Sequence, residues 1–307
     1  MKIVIAGIHL CFQCDDSWTH HQFEELFAYY QHNTDYICGQ RHDIIFLHTA
    51  KLSSKTGKLQ WSGTLADGTK ITKSLLDNGS LSILIGHEVQ AICQVDQHTT
   101  QIFITETVNA FKNKRPQPGG YLIPILQFIL SCYGKYILHA SAVSLRDRAL
   151  LFLGESGCGK TTTSLALAKK GFSFMGDDLV ILEAKDGRVN VHALLLKPKV
   201  IDESGHKKIT DVISREKLNT CHYAELVALV IMHRKPGVSQ PFEMLSRIEV
   251  LQWLLTQGNH VTFIFNGKDW FDTVSLISSF TRGWTWTPGL PETLNLDMIE
   301  GVLHGIA

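Results

Sequence analysis

A glycine-rich loop, with two acids a short interval after it, constrains this chain more than any other feature. Residues 154–161 read GESGCGKT and match the pattern Gly-x-x-x-x-Gly-Lys-Ser/Thr. The apolar run ALLFL (149–153) precedes the loop, and the good helix formers TTTSLALAKK (161–170) come after it. The pattern predicts a strand, a loop whose backbone N–H groups turn towards phosphate oxygens, and a helix whose N terminus adds partial positive charge.

The loop predicts a site for ATP with Mg²⁺. Lys160 is placed to reach the β- and γ-phosphates, and the Thr161 hydroxyl is placed to bind the metal. Cys158 stands where the loop needs a small residue; as an alternative, the positive field of the loop could activate its thiol. The residues expected at the nucleotide are Gly154, Glu155, Ser156, Gly157, Cys158, Gly159, Lys160, Thr161 and Thr162.

Two adjacent acids indicate a chemical step beyond nucleotide binding. The predicted helix ends at Gly171, and the β-like run FSFMG then leads to Asp177 and Asp178. One carboxylate can organise the metal while the other accepts a proton from an attacking hydroxyl. Neighbouring side chains at a strand end point in different directions, so we expect Asp177 to be the base and Asp178 the metal partner. Two alternatives stay open. The two acids could have the opposite roles, or they could simply end a strand at the solvent-exposed surface.

Composition excludes several classes of protein. The 307-residue chain has 29 Lys plus Arg and 29 Asp plus Glu, which is not the basic surplus of a general nucleic-acid binder. It has no run of about 18 apolar residues, so we expect no membrane-spanning helix. Seven cysteines, an odd number, indicate reduced thiols in a cytoplasmic protein. Cys11 and Cys14 form a CxxC, but no second pair completes a zinc site.

The sequence predicts a β-rich N-terminal module, 1–115, and a second domain, 116–307, that carries the loop. Short β-like runs separated by turn residues fill the module. The segment KNKRPQPGG (112–120) is polar and broken by proline, which is typical of a linker, although a loop within one domain is the alternative. Other predicted elements are a helix over 121–134, strands over 136–143 and 149–154, a hairpin turning at 186–187, a strand over 225–233, and helices over 245–257, 270–280 and 296–305.

An ordered set of residues around the loop resembles a known family. The chain has His139, then Gly154, Ser156-Gly157 and Gly159-Lys160-Thr161, then Gly171, then Asp177-Asp178. Over residues 136–182 this set resembles the kinase domain of HPr kinase/phosphorylase, a bacterial enzyme that phosphorylates a serine of a small carrier protein. The run LHASAV (138–143) is also similar to a broader group of kinase-like relatives, some associated with modified-peptide biosynthesis, such as kinases of lasso peptide precursors.

The resemblance implies a fold, a site and a reaction. The fold is an α/β kinase core similar to that of phosphoenolpyruvate carboxykinase, here with a β-rich N-terminal module. The implied catalytic residues are Asp177, His139 and Lys160, with Thr161 and Asp178 at the metal. The implied reaction transfers the γ-phosphate of ATP to a serine of a peptide or small protein. Whether the chain forms a homo-oligomer stays open.

The chain also departs from the family. The later Glu-Arg-Gly-Leu-Gly signature is absent, and HALLLKPKV (192–200) stands in the comparable region. This makes the carrier protein a poor candidate for the substrate. Candidate phosphate contacts are Lys197 or Lys199, and Arg282. Arg282 lies in the C-terminal part of the chain, which is rich in aromatic residues and is called the aromatic tail below. A small-molecule kinase acting on free serine, or a nucleotide-binding switch, stays an alternative, although the Asn-Lys-x-Asp of a guanine switch is absent.

Overall fold

The structure, a computed structural model, describes residues 2–13, 40–49, 52, 57–64, 68–87, 89–94, 97–105, 118–194, 198–201, 207–209, 211–234, 240–257, 267–289 and 295–304. Within them the chain separates into two compact units, one ending at Tyr133 and the other beginning at Gly134. The sequence placed a boundary near residue 115, so the helix predicted to open the second domain groups with the first unit. The assignment of two domains stays a prediction.

The first unit is a mixed sheet with one helix in its described residues. Its strand order is β1-β2-β3-β8-β7-β6-β5-β4, with parallel pairing along β2, β3 and β8 and antiparallel pairing elsewhere. The elements are β1 (Lys2–Ile5), β2 (Ile8–Gln13), β3 (Gln40–Thr49), β4 (Lys58–Thr64), β5 (Lys70–Leu75), β6 (Leu81–Ile85), β7 (Val89–Gln94), β8 (Thr99–Thr105) and α1 (Pro118–Ser131).

Side chains of this first unit alternate between buried and more exposed positions along a strand. In β5, Ile71 and Lys73 are buried while their neighbours are not, the period of two expected for a half-buried strand. Helix α1 begins at Pro118, a residue favoured in the first turn. Its Ile125 and Ile129 are fully buried, and it packs beside β7. The described residues of this unit are therefore mostly β-strand, as the sequence indicated for the N-terminal region.

The second unit combines a larger mixed sheet with helices. Its strand order is β12-β10-β11-β17-β14-β13-β9, with β19 joining β17 and β18 joining β19. The elements are β9 (Lys135–Leu138), β10 (Ser141–Leu145), β11 (Arg148–Leu153), α2 (Lys160–Lys169), β12 (Ser173–Gly176), β13 (Val180–Lys185), β14 (Arg188–Ala193), β15 (Lys199–Ile201), β16 (Lys207–Ile209), α3 (Val212–Arg215), β17 (Tyr223–Met232), β18 (Gln240–Leu245), α4 (Arg247–Gln257), α5 (Gly267–Phe280), β19 (Arg282–Thr287) and α6 (Leu296–His304).

Pairing in the second sheet is parallel along β11, β17 and β19 and antiparallel elsewhere. The ten-residue strand β17 pairs with β11 on one side. On its other side it pairs first with β14 and then with β19. The fold is thus a mixed α/β structure, as predicted.

A bent two-stranded ribbon organises the site. Leu138 of β9 pairs with Val180 of β13, and Ala142 of β10 pairs with Gly176 of β12. These two pairs share one register. The strands β9 and β10 therefore form one side of a continuous ribbon, and β12 and β13 form the other side, with an interruption between the two pairs. The sequence predicted an unbroken strand over 136–143, and this was wrong. The two halves of the ribbon separate because they pair with different strands of the sheet. In one half β13 pairs with β14, and in the other half β10 pairs with β11.

Local turn chemistry behaves as predicted. Helix α2 ends where Gly171 adopts a φ of 103°, with Phe172 N–H donating to the Leu167 carbonyl at 3.2 Å. The β13–β14 hairpin turns through Asp186 and Gly187, both with positive φ, as the favoured two-residue hairpin turn requires. The aromatic tail supplies core residues, since Trp284 and Trp286 join a buried cluster with Phe152.

Candidate functional site

The glycine-rich loop leaves the buried strand β11 and enters helix α2, as predicted. Gly154, Gly157 and Gly159 have φ values of 136°, 85° and 103°, which other residues rarely adopt. A Cβ added to Gly154 would lie 2.4 Å from the Met232 carbonyl oxygen, so the loop also needs glycine for close approach to β17. Cys158 is 5% exposed and belongs to the apolar core, which agrees with the requirement for a small residue.

Lys160 lies inside the loop that precedes it. Its Nζ donates to the carbonyl oxygens of Gly154 at 2.8 Å and Glu155 at 3.0 Å, and the residue is 7% exposed. The ammonium group is therefore held by two backbone carbonyls of the loop itself. Ser156 of the loop and Thr162 in the first turn of α2 are exposed.

The first acid meets the loop directly. Asp177 is 2% exposed, and its Oδ1 accepts a hydrogen bond from the Thr161 hydroxyl at 2.7 Å. A buried carboxylate needs such a partner, because an uncompensated charge away from water is costly. Strand β12 ends at Gly176 beside α2, so the fold, not sequence proximity, brings these two side chains together.

The second acid sits at a strained turn. Asp178 has a φ of 64° and is the central residue of the turn. The N–H of Leu179, after it, donates to the carbonyl of Asp177, before it, at 2.8 Å. A three-residue turn with positive φ at its centre is a γ-turn of the rarer, strained kind. Backbone strain of this sort clusters at functional sites because the surrounding structure must hold it. Asp178 is also more exposed than Asp177.

His139 lies opposite this turn. The ribbon register puts Ala140 across from Asp178, and Ala140 N–H donates to the Asp178 carbonyl at 3.2 Å. His139 itself is exposed, directly after the end of β9. The structure thus brings together the neighbourhoods of His139 and Asp178, which are far apart in the sequence.

Two buried serines that the sequence analysis missed fix the helix to the ribbon. Ser141 Oγ lies 2.7 Å from Ser164 Oγ and donates to the Gly176 carbonyl at 3.1 Å. Both serines are fully buried. They join α2, β10 and the end of β12 just before the acids. Serines are too common for this contact to be predicted without the ribbon register.

The structure revises the candidate basic residues. Arg234, which the sequence analysis missed, donates from Nη1 to the Gly157 carbonyl at 3.2 Å. It comes after β17, and because β11 and β17 are parallel, their carboxyl ends meet at the loop. The candidate Arg282 begins β19 opposite Ala228, at the middle of β17, and its Nη1 donates to the His304 carbonyl at 3.5 Å. Lys197 lies outside the described residues, and Lys199 begins β15.

The donor set fits Mg²⁺ and a nucleotide. Mg²⁺ is usually bound through one or two carboxylates together with substrate phosphates, and hydroxyl and carboxylate oxygens are its preferred ligands. Thr161 and Asp177 offer such oxygens beside the loop. In the part of the chain that the structure describes, no group of three or more His, Cys, Asp or Glu side chains is arranged to hold a metal.

No helix among the described residues has the length and apolarity needed to cross a bilayer.

Comparisons with known proteins add little. Neither a protein-family model nor a curated protein matches the chain. Among solved structures, it is similar to the Hpr(Ser) kinase/phosphatase from Coxiella burnetii, with 12% sequence identity and a TM-score of 0.33, over 55% of this chain and 94% of that chain. A similarity at this level carries no argument for a function.

Proposed function

We propose that the chain is an ATP-dependent kinase that transfers the γ-phosphate to a serine hydroxyl of a peptide or small protein. The observation that carries the proposal is the 2.7 Å contact between the Thr161 hydroxyl and the buried Asp177 carboxylate, at a loop that encloses Lys160. It joins a metal-binding hydroxyl, an acid and a phosphate-binding lysine in one place. A loop that only held a nucleotide would not need a second, more exposed acid at a strained turn beside it.

The proposed roles depend on these positions. Lys160, with the loop N–H groups, stabilises the charge of the phosphates. Thr161 and Asp177 hold Mg²⁺, which when bound neutralises charge on the phosphate oxygens. Asp178 takes the proton of the serine hydroxyl as the new O–P bond forms and the bond to the β-phosphate oxygen breaks. His139, whose neighbour Ala140 pairs with Asp178, contacts the transferred group or tunes the base.

This division reverses the order expected from the sequence, in which Asp177 was the base and Asp178 the metal partner. The contact with Thr161 supports the reversal, because a hydroxyl that binds Mg²⁺ through oxygen can still donate its proton to Asp177. The greater exposure of Asp178 supports it too, since a base must reach an acceptor that arrives from solvent.

A peptide or protein acceptor is the finer part of the proposal. It is supported by the resemblance of the His139, loop and paired-acid sequence to a protein-serine kinase family. A serine hydroxyl is a weak nucleophile at neutral pH and needs a nearby base, which the paired acids can supply.

The test is direct phosphorylation. The protein is incubated with Mg·ATP and, separately, peptides encoded beside its gene, the HPr carrier protein and free serine, and the products are analysed by mass spectrometry. We expect phosphate on a peptide or protein serine. Phosphorylation of free serine alone would contradict the peptide acceptor, and ADP release with no phosphorylated product would contradict the kinase.

Matched lysine variants control this experiment. Lys160→Ala should weaken nucleotide binding by about tenfold or more and abolish transfer, because a charged phosphate contact is lost. Lys185→Ala removes an exposed lysine at the end of β13 and should leave both unchanged. Calorimetry that shows equal affinities in the two variants would reject the nucleotide site.

A further inference from the structure

Arg234 contacts the glycine-rich loop but has no role in the reaction as proposed above. It comes directly after His233, whose N–H donates to the Trp286 carbonyl of β19 at 2.9 Å. The backbone that carries Arg234 is therefore tied to the sheet. The residue itself is exposed, and its Nη1 donates to the Gly157 carbonyl at 3.2 Å.

The direction of the Arg234 side chain follows from the alternation along a strand. Side chains two residues apart lie on the same face, and Met232 stands two residues before Arg234. A Cβ added to Gly159 would lie 3.8 Å from Met232 Cε. A Cβ added to Gly157 would lie 3.7 Å from Arg234 Nη1. Both side chains therefore lie against the glycine-rich loop, the methionine as part of the buried core and the arginine exposed.

The loop holds two cations on its own backbone carbonyls. Lys160 donates to those of Gly154 and Glu155, and Arg234 donates to a third. A guanidinium has five N–H donors in a planar fork, and the contact with the carbonyl of Gly157 uses one of them. A phosphate group accepts two parallel bonds from such a fork and adds its negative charge, so it is a stronger partner than a single neutral carbonyl.

Phosphates bound by the loop would lie within reach of this guanidinium. The loop N–H groups and the N terminus of α2 form the predicted phosphate site. Strands β11 and β17 are parallel, and Leu153 pairs with Ile231. Gly154 therefore follows this pair by one residue and Arg234 by three, at the same edge of the sheet. Rotation of the arginine side chain is enough to exchange a loop carbonyl for phosphate oxygens.

We infer that Arg234 is a further catalytic residue, whose guanidinium leaves the Gly157 carbonyl when Mg·ATP binds and holds the oxygens of the γ-phosphoryl group during transfer. This inference rests on the proposed kinase function. The serine oxygen forms a bond to phosphorus, the bond to the β-phosphate oxygen breaks, ADP leaves, and Asp178 takes the hydroxyl proton. Arg234 stays protonated throughout. It acts by stabilising the negative charge on the oxygens of the transferred group.

This role differs from that of Lys160. The lysine is enclosed by the loop and serves nucleotide binding, so its removal should weaken the affinity for the nucleotide. The arginine is exposed, and its bonds to the phosphoryl group are strongest while that group is in transit. Its removal should therefore lower the rate of transfer much more than the affinity for Mg·ATP.

The test uses the full-length protein and an analogue of the transition state. Mg·ADP with aluminium fluoride places a negatively charged group where the phosphoryl group passes, and it requires no acceptor peptide. Calorimetry measures the affinity for Mg·ADP with and without aluminium fluoride. We expect aluminium fluoride to tighten binding to the natural chain by about 10²-fold or more. Arg234→Ala should lose this gain, while its affinity for Mg·ADP alone changes by less than about threefold.

Two further variants control the experiment. Arg215→Ala removes an exposed arginine at the end of α3, in the same unit, whose Nη2 lies 3.6 Å from Glu216 Oε1. It should keep the whole gain. Arg234→Lys keeps the charge but not the planar fork, so it should recover only part of the gain. With an acceptor that the natural chain phosphorylates, Arg234→Ala should slow single-turnover transfer by a factor of about 10³.

Three results would overturn the catalytic role of Arg234. Arg234→Ala could keep the gain from aluminium fluoride, it could lose affinity for Mg·ADP by the same factor, or Arg215→Ala could show an equal loss. Each of these leaves the proposed kinase standing. If the natural chain binds Mg·ADP but gains no affinity from aluminium fluoride, the proposed transfer itself fails, and the role of Arg234 fails with it.

Discussion

Asp177 and Asp178 are neighbours in the sequence but differ in most properties that decide their chemistry. One is almost fully buried and bonded to Thr161, and the other lies at a strained turn with more access to solvent. The difference arises because β12 ends at Gly176 and β13 begins at Val180, so the chain turns sharply where this side of the ribbon is interrupted. Adjacent acids can therefore take separate roles without a long connecting segment.

Two asparagine variants assign these roles. Asp178→Asn should keep Mg·ATP binding and lose phosphoryl transfer by a factor of about 10² to 10⁴, as expected for removal of a general base. Asp177→Asn should weaken the Mg²⁺-dependent part of nucleotide binding. Calorimetry with and without Mg²⁺, together with single-turnover kinetics, measures both effects. The opposite pattern would restore Asp177 as the base.

Single residues also show where sequence reasoning stops. Lys160 and Thr161 were predictable because the loop pattern fixes their place relative to the phosphates. Arg234 was not, because its position depends on the parallel pairing of β11 with a strand far along the chain. The place of Arg282 was not predictable for the same reason: nothing in its own segment tells that it pairs with Ala228, in the middle of β17.

At the scale of elements, the contact between Ser141 and Ser164 is one of the bonds that hold α2 against the ribbon. Ser164→Ala should lower the free energy of unfolding by about 1–2 kcal/mol, because a buried partner loses its hydrogen bond. Ser141→Ala should cost a similar amount, and the double variant clearly less than the sum. Denaturant unfolding measures this coupling. Ser144→Ala, buried on the same strand, serves as the control, and strictly additive effects would show that the serines do not act together.

The elements that were predicted well depend on local chemistry. LSILI (81–85), one of the short β-like runs of the N-terminal module, indicated β6. Gly171 indicated the end of α2, and Asp186-Gly187 indicated the hairpin. The break at His139 and Ala140 was missed because it has no local cause. YILHASAV is apolar enough for one strand, and only the different partners of β9 and β10 interrupt it.

At the scale of the whole molecule, buried histidines make stability depend on pH. Burial, and then the charge of His98, lower the pKa of His42 from 6.5 to about 4. In the unfolded chain this histidine is therefore protonated below about pH 6.5, whereas in the folded chain it is protonated only below about pH 4. Stability is complete above pH 6.5 and falls as the pH drops through this window, by up to about 3 kcal/mol. In the second unit, a hydrogen bond from His192 lowers the pKa of Glu183 to about 2. Protonation of this carboxylate therefore extends the loss of stability to more acidic pH.

The His42→Gln variant tests this dependence. Glutamine does not titrate, so the variant should lose much less stability than the natural chain between pH 6.5 and 4. Denaturant unfolding at each pH, followed by hydrogen-exchange labelling of β3 and β8 at one fixed pH, isolates the first unit. His87→Gln, an exposed histidine of the same unit, should keep the full dependence. If the free energy of unfolding changes equally with pH in the His42→Gln and His87→Gln variants, His42 is not the source of the dependence.

The parallel pairing of β11, β17 and β19 has a consequence for biosynthesis. Strand β11 ends at Leu153, but its partner β17 ends only at Met232, roughly 80 residues later, which is about 4–16 s at usual rates of translation. Strand β19 comes later still. For that time a nascent chain exposes ALLFL, which is buried in the finished fold, with no strand of its own sheet on that side. We therefore expect newly made chains to be captured by chaperones that hold exposed apolar strands, and to aggregate when such chaperones are scarce.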